Sequence, residues 1–276
     1  MDFFLNYFAT LPTWQKAAWL FACLCGGWLL EASFPFFRYK YNRVKHNSVN
    51  LVFLGFTLLI NTVFSLATVK LIYPLIETHR FGLLYLIDLP VWAELAIAIL
   101  LFDLVAQYTV HLMLHKVTWM WRLHMIHHSD TKVVATSGTR HHPGDYITRE
   151  LFSLLTILVT GAPFAYYMLY RIITIPFTYL THANILVPRW LDKPLSFIFI
   201  TPNIHKFHHH YQLPWTDSNY GNIFSFWDRL FKTLVYDDPQ KIKYGLDILE
   251  GTDDESIGFQ LNIPFNKSIP SSVVEK

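Results

Sequence analysis

The sequence predicts an all-α fold: a polytopic membrane helical bundle of about four spans, including a helical hairpin, capped by a cytoplasmic histidine-rich helical region. Three observations predict it. The chain has 276 residues, 53% hydrophobic and only 15% charged. Ordinary globular domains carry about 25% charged residues, so lipid must serve as part of the solvent. Four hydrophobic runs exceed the ~20 apolar residues that cross ~30 Å of hydrocarbon as a helix. Finally, fourteen histidines are present, and twelve of them fall between positions 111 and 210.

The first run covers residues 14–37. No basic stretch precedes it, because the first lysine is Lys16. A cleaved secretory signal is therefore not expected, and this run should stay as an anchor. Cys23 and Cys25 lie inside it; they point apart on a helix and make no disulfide framework, so they read as small apolar filler. The second and third runs cover residues 48–76 and 89–114. The fourth, residues 151–185, carries Gly161-Ala162-Pro163 near its middle. Gly and Pro break helices, so this run reads as a hairpin that dips in and returns, with one long tilted span as the competitor.

The first loop between runs holds Arg38, Lys40, Arg43 and Lys45, whereas residues 77–88 hold one arginine. The positive-inside rule puts the first loop in the cytoplasm, and the third span then returns to that side near His111. From about Trp190 the chain reads as soluble or interfacial, and residues 237–276 as a soluble C-terminal tail rich in turn residues. The whole of 1–276 reads as a single membrane domain. A net charge of +2 with no long basic run excludes a nucleic-acid partner.

The histidines are grouped. His111 and His115 form HxxxH; His124, His127 and His128 form HxxHH; His205, His208 and His209 form a second HxxHH. On a helix, residues i, i+3 and i+4 share a face, so each group can present its imidazoles in one direction. Neutral imidazole binds Fe, Cu, Zn and Ni. Crowding bare imidazoles together costs desolvation and gains nothing without a metal. A zinc site usually takes four ligands, and about nine or ten imidazoles fit two ions better than one. Redox chemistry with dioxygen calls for iron; the spacing leaves zinc and manganese open.

Lone histidines ordinarily belong to cores or interfaces, so His46 and His79 are read that way, His210 as surface and His141 as a non-ligand. Ligating imidazoles commonly donate their second N–H to a carboxylate or carbonyl. Asp103, eight residues before His111 with Gln107 between, is the leading candidate for that role; Asp228 and Asp130 are weaker ones. Tyr166, Tyr167, Tyr170 and Phe177 read as packing or interface residues that would also suit the wall of an apolar cavity. HExxH, GxGxxG and a Walker loop are all absent from the sequence. Electrons should therefore come from an external donor.

Asp103-Leu-x-x-Tyr-x-x-x-His111-x-x-x-His115, Trp121-x-x-His124-x-x-His127-His128-Ser129, Thr136-x-x-x-Arg140-x-His142-Pro143, Thr201-Pro-x-x-His205-x-x-His208-His209, Asn219-Tyr-Gly221 and Trp227-Asp-Arg-Leu-Phe231 occur in that order. This series resembles the fatty acid hydroxylase/sterol desaturase superfamily over about residues 34–264, nearest its bacterial sterol-desaturase-like branch and the alkylglycerol monooxygenases. The resemblance implies two iron ions in a non-haem di-iron centre, dioxygen as co-substrate, a membrane lipid substrate (fatty acyl, ether lipid or sterol-like) and a ferredoxin, cytochrome or reductase as electron donor. It implies hydroxylation or desaturation of an aliphatic C–H. Carried over residue by residue, it implies metal ligation by His111, His115, His124, His127, His128, His182, His205, His208 and His209. His142 falls at the family's His-Pro position, as an extra ligand or a supporting group. Leu112 stands where the first box often has arginine. The alternatives are a carotenoid hydroxylase-type enzyme or a non-catalytic membrane protein binding metal or haem. A bis-histidine haem would leave most of these imidazoles unexplained.

Overall fold

Hydrophobic runs become helices wherever glycine and proline leave them uninterrupted. The computed structural model describes residues 2–212 and 215–270, and no β-strand occurs among the described residues. The helices are α1 (Asp2–Ala9), α2 (Thr13–Ser33), α3 (Arg43–Ala67), α4 (Tyr73–His79), α5 (Val91–Asp103), α6 (Val110–Lys116), α7 (Thr118–His128), α8 (Pro143–Thr160), α9 (Phe164–His182), α10 (Arg189–Leu195), α11 (Pro202–His208), α12 (Phe226–Leu230) and α13 (Ile257–Asn262).

α3 continues into α4 through a π-helical turn at Thr68–Ile72. Pro74 follows this turn, and a proline ring crowds the carbonyl four residues back. A second π turn, Leu104–Thr109, joins α5 to α6. Two helical stretches, Arg43–Tyr85 with 43 residues and Val91–Lys116 with 26, are long and apolar enough to cross a membrane; the first breaks at Arg80, which takes the left-handed conformation at φ 47°. The outward face of the first is bare hydrocarbon: Leu59 is 64% exposed and Leu71 63%.

The run at residues 151–185 is two helices, not one. α8 stops at Gly161 in the left-handed conformation, φ 65°, and α9 restarts after Pro163. A Cβ at Gly161 would lie 2.4 Å from the Phe81 carbonyl oxygen, so only glycine fits this turn. α9 then folds back along α8, and Tyr167 and Arg171 both reach Glu150, at 3.3 and 3.0 Å. Tyr73, Phe102, Ile157, Tyr166 and Tyr170 pack between α4, α5, α8 and α9. Tyr166 bonds Glu94 at 3.0 Å and Tyr170 bonds Asp103 at 3.0 Å. Tyr166, Tyr167 and Tyr170 are thus core residues whose hydroxyls are satisfied by carboxylates.

The connection from α2 to α3 is stitched to the histidine-rich region. Asn184, just past α9, accepts from the Phe37 amide at 2.9 Å and donates to the Phe37 carbonyl at 2.7 Å. Asn50 on α3 donates to Thr136 at 2.9 Å.

The C-terminal segment packs against the body instead of trailing away as a tail. Leu246, Leu249, Ile263 and Ile269 bury themselves against Val49, Phe53, Trp121, Met125 and Ile126. Arg122 on α7 donates to the carbonyls of Ile263, Pro264, Asn266 and Ile269 at 3.0, 2.9, 2.6 and 2.9 Å. Residues 271–276 of the expected tail lie outside the described residues.

Candidate metal centre

Four short stretches deliver imidazoles to one place. Val117 takes an extended conformation between α6 and α7, and the turn it makes brings His111 and His124 together with Nε2 atoms 3.2 Å apart. Thr201 caps α11 through the Ile204 amide and Pro202 starts it, so a seven-residue helix aligns His205 and His208, with His209 at its end. His182 is the last residue of α9. Gly138 lets the turn at Ala135–Thr139 lie directly against α9, because a Cβ there would stand 2.9 Å from Thr178 and 3.0 Å from His182 Nδ1.

The imidazoles fall into two groups. His111, His115, His124, His128 and His208 form one; His127, His182, His205 and His209 form the other, and within each group the candidate ligand atoms all lie within 4.8 Å of one another. In the second group His182 Nε2 lies 3.2, 3.0 and 3.2 Å from the Nε2 atoms of His127, His205 and His209. His182 Nδ1 faces the Thr178 carbonyl at 2.8 Å. The proton that bond requires sits on Nδ1, which leaves Nε2 an acceptor. Three neighbouring nitrogens cannot all donate to it. Two nitrogens bound to one ion at about 2.0–2.1 Å, at tetrahedral or octahedral angles, stand about 2.8–3.4 Å apart. The spacing is that of a coordination shell, and the donor set fits a transition-metal cation.

The outer nitrogens supply the same tautomer elsewhere. His111 Nδ1 faces the Tyr220 carbonyl at 2.8 Å and His208 Nδ1 the Ser218 carbonyl at 2.7 Å. His124 Nδ1 faces Asp145 at 2.8 Å, and His115 Nδ1 lies 3.5 Å from Asp217. The bonds of His111, His208 and His124 put the proton on Nδ1 and free the Nε2 lone pair. His208 Nε2 and His115 Nε2 are buried with no hydrogen-bond partner among the described residues. Burial pushes His124 down to about 3 against the pull of Asp145. Burial, followed by repulsion from neighbouring imidazoles, holds His127, His128, His208 and His209 well below the ordinary histidine range. All are therefore neutral, the form that ligates.

The carboxylates that touch imidazoles of the two groups are Asp145 and Asp217, not the expected ones. Asp103 faces the 220–227 segment, as His111 does. It lies eight residues, about 12 Å of helix rise, away, and accepts from Tyr170 and Trp227, each at 3.0 Å. Asp228 accepts the Tyr220 and Gly221 amides at 2.8 and 2.9 Å, so it shapes the backbone that receives His111. Asp130 is buried between Arg140 and His46 and bonds Ser137 at 2.5 Å. His142 joins neither group; its Nδ1 caps α8 by accepting from Gly144 at 3.0 Å. His141, read as a non-ligand, sits at the site. It bonds Asp145 at 3.0 Å and stacks on His127 with ring centroids 4.4 Å apart. The i, i+4 spacing of His141 and Asp145 was the available sequence signal. His210 is buried, contrary to the surface reading, and packs on Trp215 with centroids 4.7 Å apart.

Two adjoining polyimidazole cradles, one of them with four of its five rings facing acceptors, define a helical protein able to bind metal. The sequence model of the fatty acid hydroxylase family matches residues 95–233, a span that holds both cradles, and the chain belongs to that family. The chain is 28% identical over 171 residues to the ornithine lipid hydroxylase of Rhizobium tropici, covering 61% of this chain and 50% of that protein. It is 30% identical over 146 residues to the alkylglycerol monooxygenase of Xenopus tropicalis, covering 50% of this chain and 30% of that protein. A cholesterol 25-hydroxylase-like protein of Danio rerio is 29% identical over 175 residues, covering 60% of this chain and 67% of that protein. The chain spans half or less of the length of the first two of these relatives. No solved structure matches it.

Proposed function

We propose that this chain is a membrane-embedded, dioxygen-dependent lipid hydroxylase with two non-haem iron ions, one in each imidazole cradle. The five-member cradle is His111, His115, His124, His128 and His208; the four-member cradle is His127, His182, His205 and His209. The single observation that carries this reading is the convergence of nine imidazoles into two adjoining groups whose candidate ligand atoms lie within 4.8 Å of one another, with His111, His124, His182 and His208 held by acceptors on their outer nitrogens. Imidazole-only cradles suit iron, and the relatives named above are a lipid hydroxylase, a monooxygenase and a hydroxylase-like protein.

When bound, the iron pair supplies dioxygen reduction and the oxidant for an unactivated C–H. The balance is one lipid C–H, one dioxygen, two electrons and two protons giving an alcohol and water. Electrons come from an external donor protein, since the sequence carries no nicotinamide or flavin fingerprint. The protein's own residues hold the metals, fix the imidazole tautomers and keep water out.

The bundle reading has four apolar runs in the bilayer, with α2 and the α8–α9 hairpin joining the two long helices. The cytoplasmic placement is supported by contact: Phe37, in the basic α2–α3 connection, bonds Asn184 just past His182, and Asn50 near the start of α3 bonds Thr136.

The test is lipid mass spectrometry of cells expressing the wild type or His208→Ala. A lipid heavier by one oxygen, present only with the wild type, is the expected result. A product lighter by two hydrogens would replace hydroxylation with desaturation, and no difference would overturn the oxygenase reading.

A further inference from the structure

The loop between α11 and α12 does something the family motif does not assign. Three acceptors within four residues of it serve three imidazoles of one cradle: the Asp217 carboxylate faces His115 Nδ1 at 3.5 Å, the Ser218 carbonyl receives His208 at 2.7 Å, and the Tyr220 carbonyl receives His111 at 2.8 Å. Asp217 and Asn219 both hold left-handed backbone, at φ 63° and 55°, which is uncommon for residues other than glycine. Their cost is offset by a dense set of bonds. Asn219 donates to the Ile204 and Val235 carbonyls at 2.9 and 2.8 Å and accepts from the Val235 amide at 2.7 Å. Tyr220 donates its hydroxyl to Asp217 at 2.7 Å, and Lys116 donates to the other Asp217 oxygen. Asp228 holds the Tyr220 and Gly221 amides.

Asp145 adds a second carboxylate to the same cradle through His124. Four of its five imidazoles are thus oriented, two of them by carboxylates. The other cradle is bare by comparison. His182 alone has an acceptor, the Thr178 carbonyl. The Nδ1 atoms of His127, His205 and His209 are buried with no partner among the described residues. Outer acceptors raise ligand basicity and lock ring orientation.

We propose that the two cradles are unequal by construction: the five-imidazole cradle holds its ion tightly through the 217–220 loop, and the four-imidazole cradle is the exchangeable position. The inference rests on the two-metal reading above. Asp217 is a positioning residue acting through His115.

Metal release measures it directly. Iron-loaded protein in detergent is challenged with a competing chelator, and retained iron is counted against time and chelator concentration. The expected curve has two phases of one iron each. Asp217→Asn weakens the tight phase by about 10–100-fold and leaves the loose phase in place. His209→Ala removes the loose phase only, and His208→Ala the tight phase only; this pair keeps the assignment testable if Asp217→Asn misfolds. Release of both ions in one phase from the wild type, or equal weakening of both by Asp217→Asn, overturns the inference and leaves the two-metal reading standing. Protein that takes up no iron overturns the two-metal reading itself.

Discussion

His124 and Asp145 are joined Nδ1 to Oδ2 at 2.8 Å in a fully buried pair. Asp145 also bonds His141 and Arg149, at 3.0 and 2.9 Å. The carboxylate thus sets which nitrogen of His124 faces the cradle. Asp145→Asn keeps the shape and removes the charge. Metal affinity should fall about 10–100-fold with helix content unchanged, read as metal per protein beside circular dichroism. Unchanged metal content in that variant would show that Asp145 has no orienting role.

Acid should destabilise the metal-stripped protein. The buried imidazoles of α7 and α11 have folded-state values below the ordinary ~6.5, with His124 down at about 3. The unfolded chain therefore binds protons that the folded chain refuses. Stability is full above about pH 7 and declines as pH falls through 6.5 towards 3. Melting temperatures of stripped protein at pH 8, 6 and 5 should drop in that order. A flat profile would mean that these rings are not buried neutral.

Arg122 tests the C-terminal brace. Its guanidinium satisfies four main-chain carbonyls between Ile263 and Ile269. Arg122→Ala should cost about 2–3 kcal/mol or more, since bonds to charged groups are the stronger kind. Limited proteolysis should then cut residues 237–270 first. Lysine should not rescue it, because one ammonium cannot span four acceptors. Equal protease resistance in the alanine variant would refute the brace.

Gly138→Ala probes close approach. The added methyl would press on Thr178 and His182 Nδ1 at 2.9–3.0 Å. Metal occupancy should fall, most of it from the four-imidazole cradle, with global helicity retained. Full occupancy would show that the turn at Ala135–Thr139 can shift without disturbing His182.

The long helices and the three histidine boxes were legible in the sequence because both rest on local periodicity. Gly161 and Pro163 likewise announced the break between α8 and α9. The acceptors behind the imidazoles were not legible, because three are main-chain carbonyls, at Thr178, Ser218 and Tyr220, which any residue type supplies. Asp103 misled for a geometric reason: it lies on the expected face but too far along the axis to reach His111. The C-terminal segment misled because its turn-rich composition conceals four apolar anchors, Leu246, Leu249, Ile263 and Ile269, that fold onto α7.

That brace joins partners 141 to 147 positions apart in the chain. During synthesis the histidines of α6 and α7 emerge long before the carbonyls that will grip Arg122. Contacts of such separation form late, after the loop between them has been closed. The helix carrying His124, His127 and His128 thus gains its final support only after α8, α9 and α11 exist to complete both cradles. Ribosomes stalled before Ile263 would display an unbraced α7, and its capacity to take up metal at that stage would reveal whether filling awaits the last clasp.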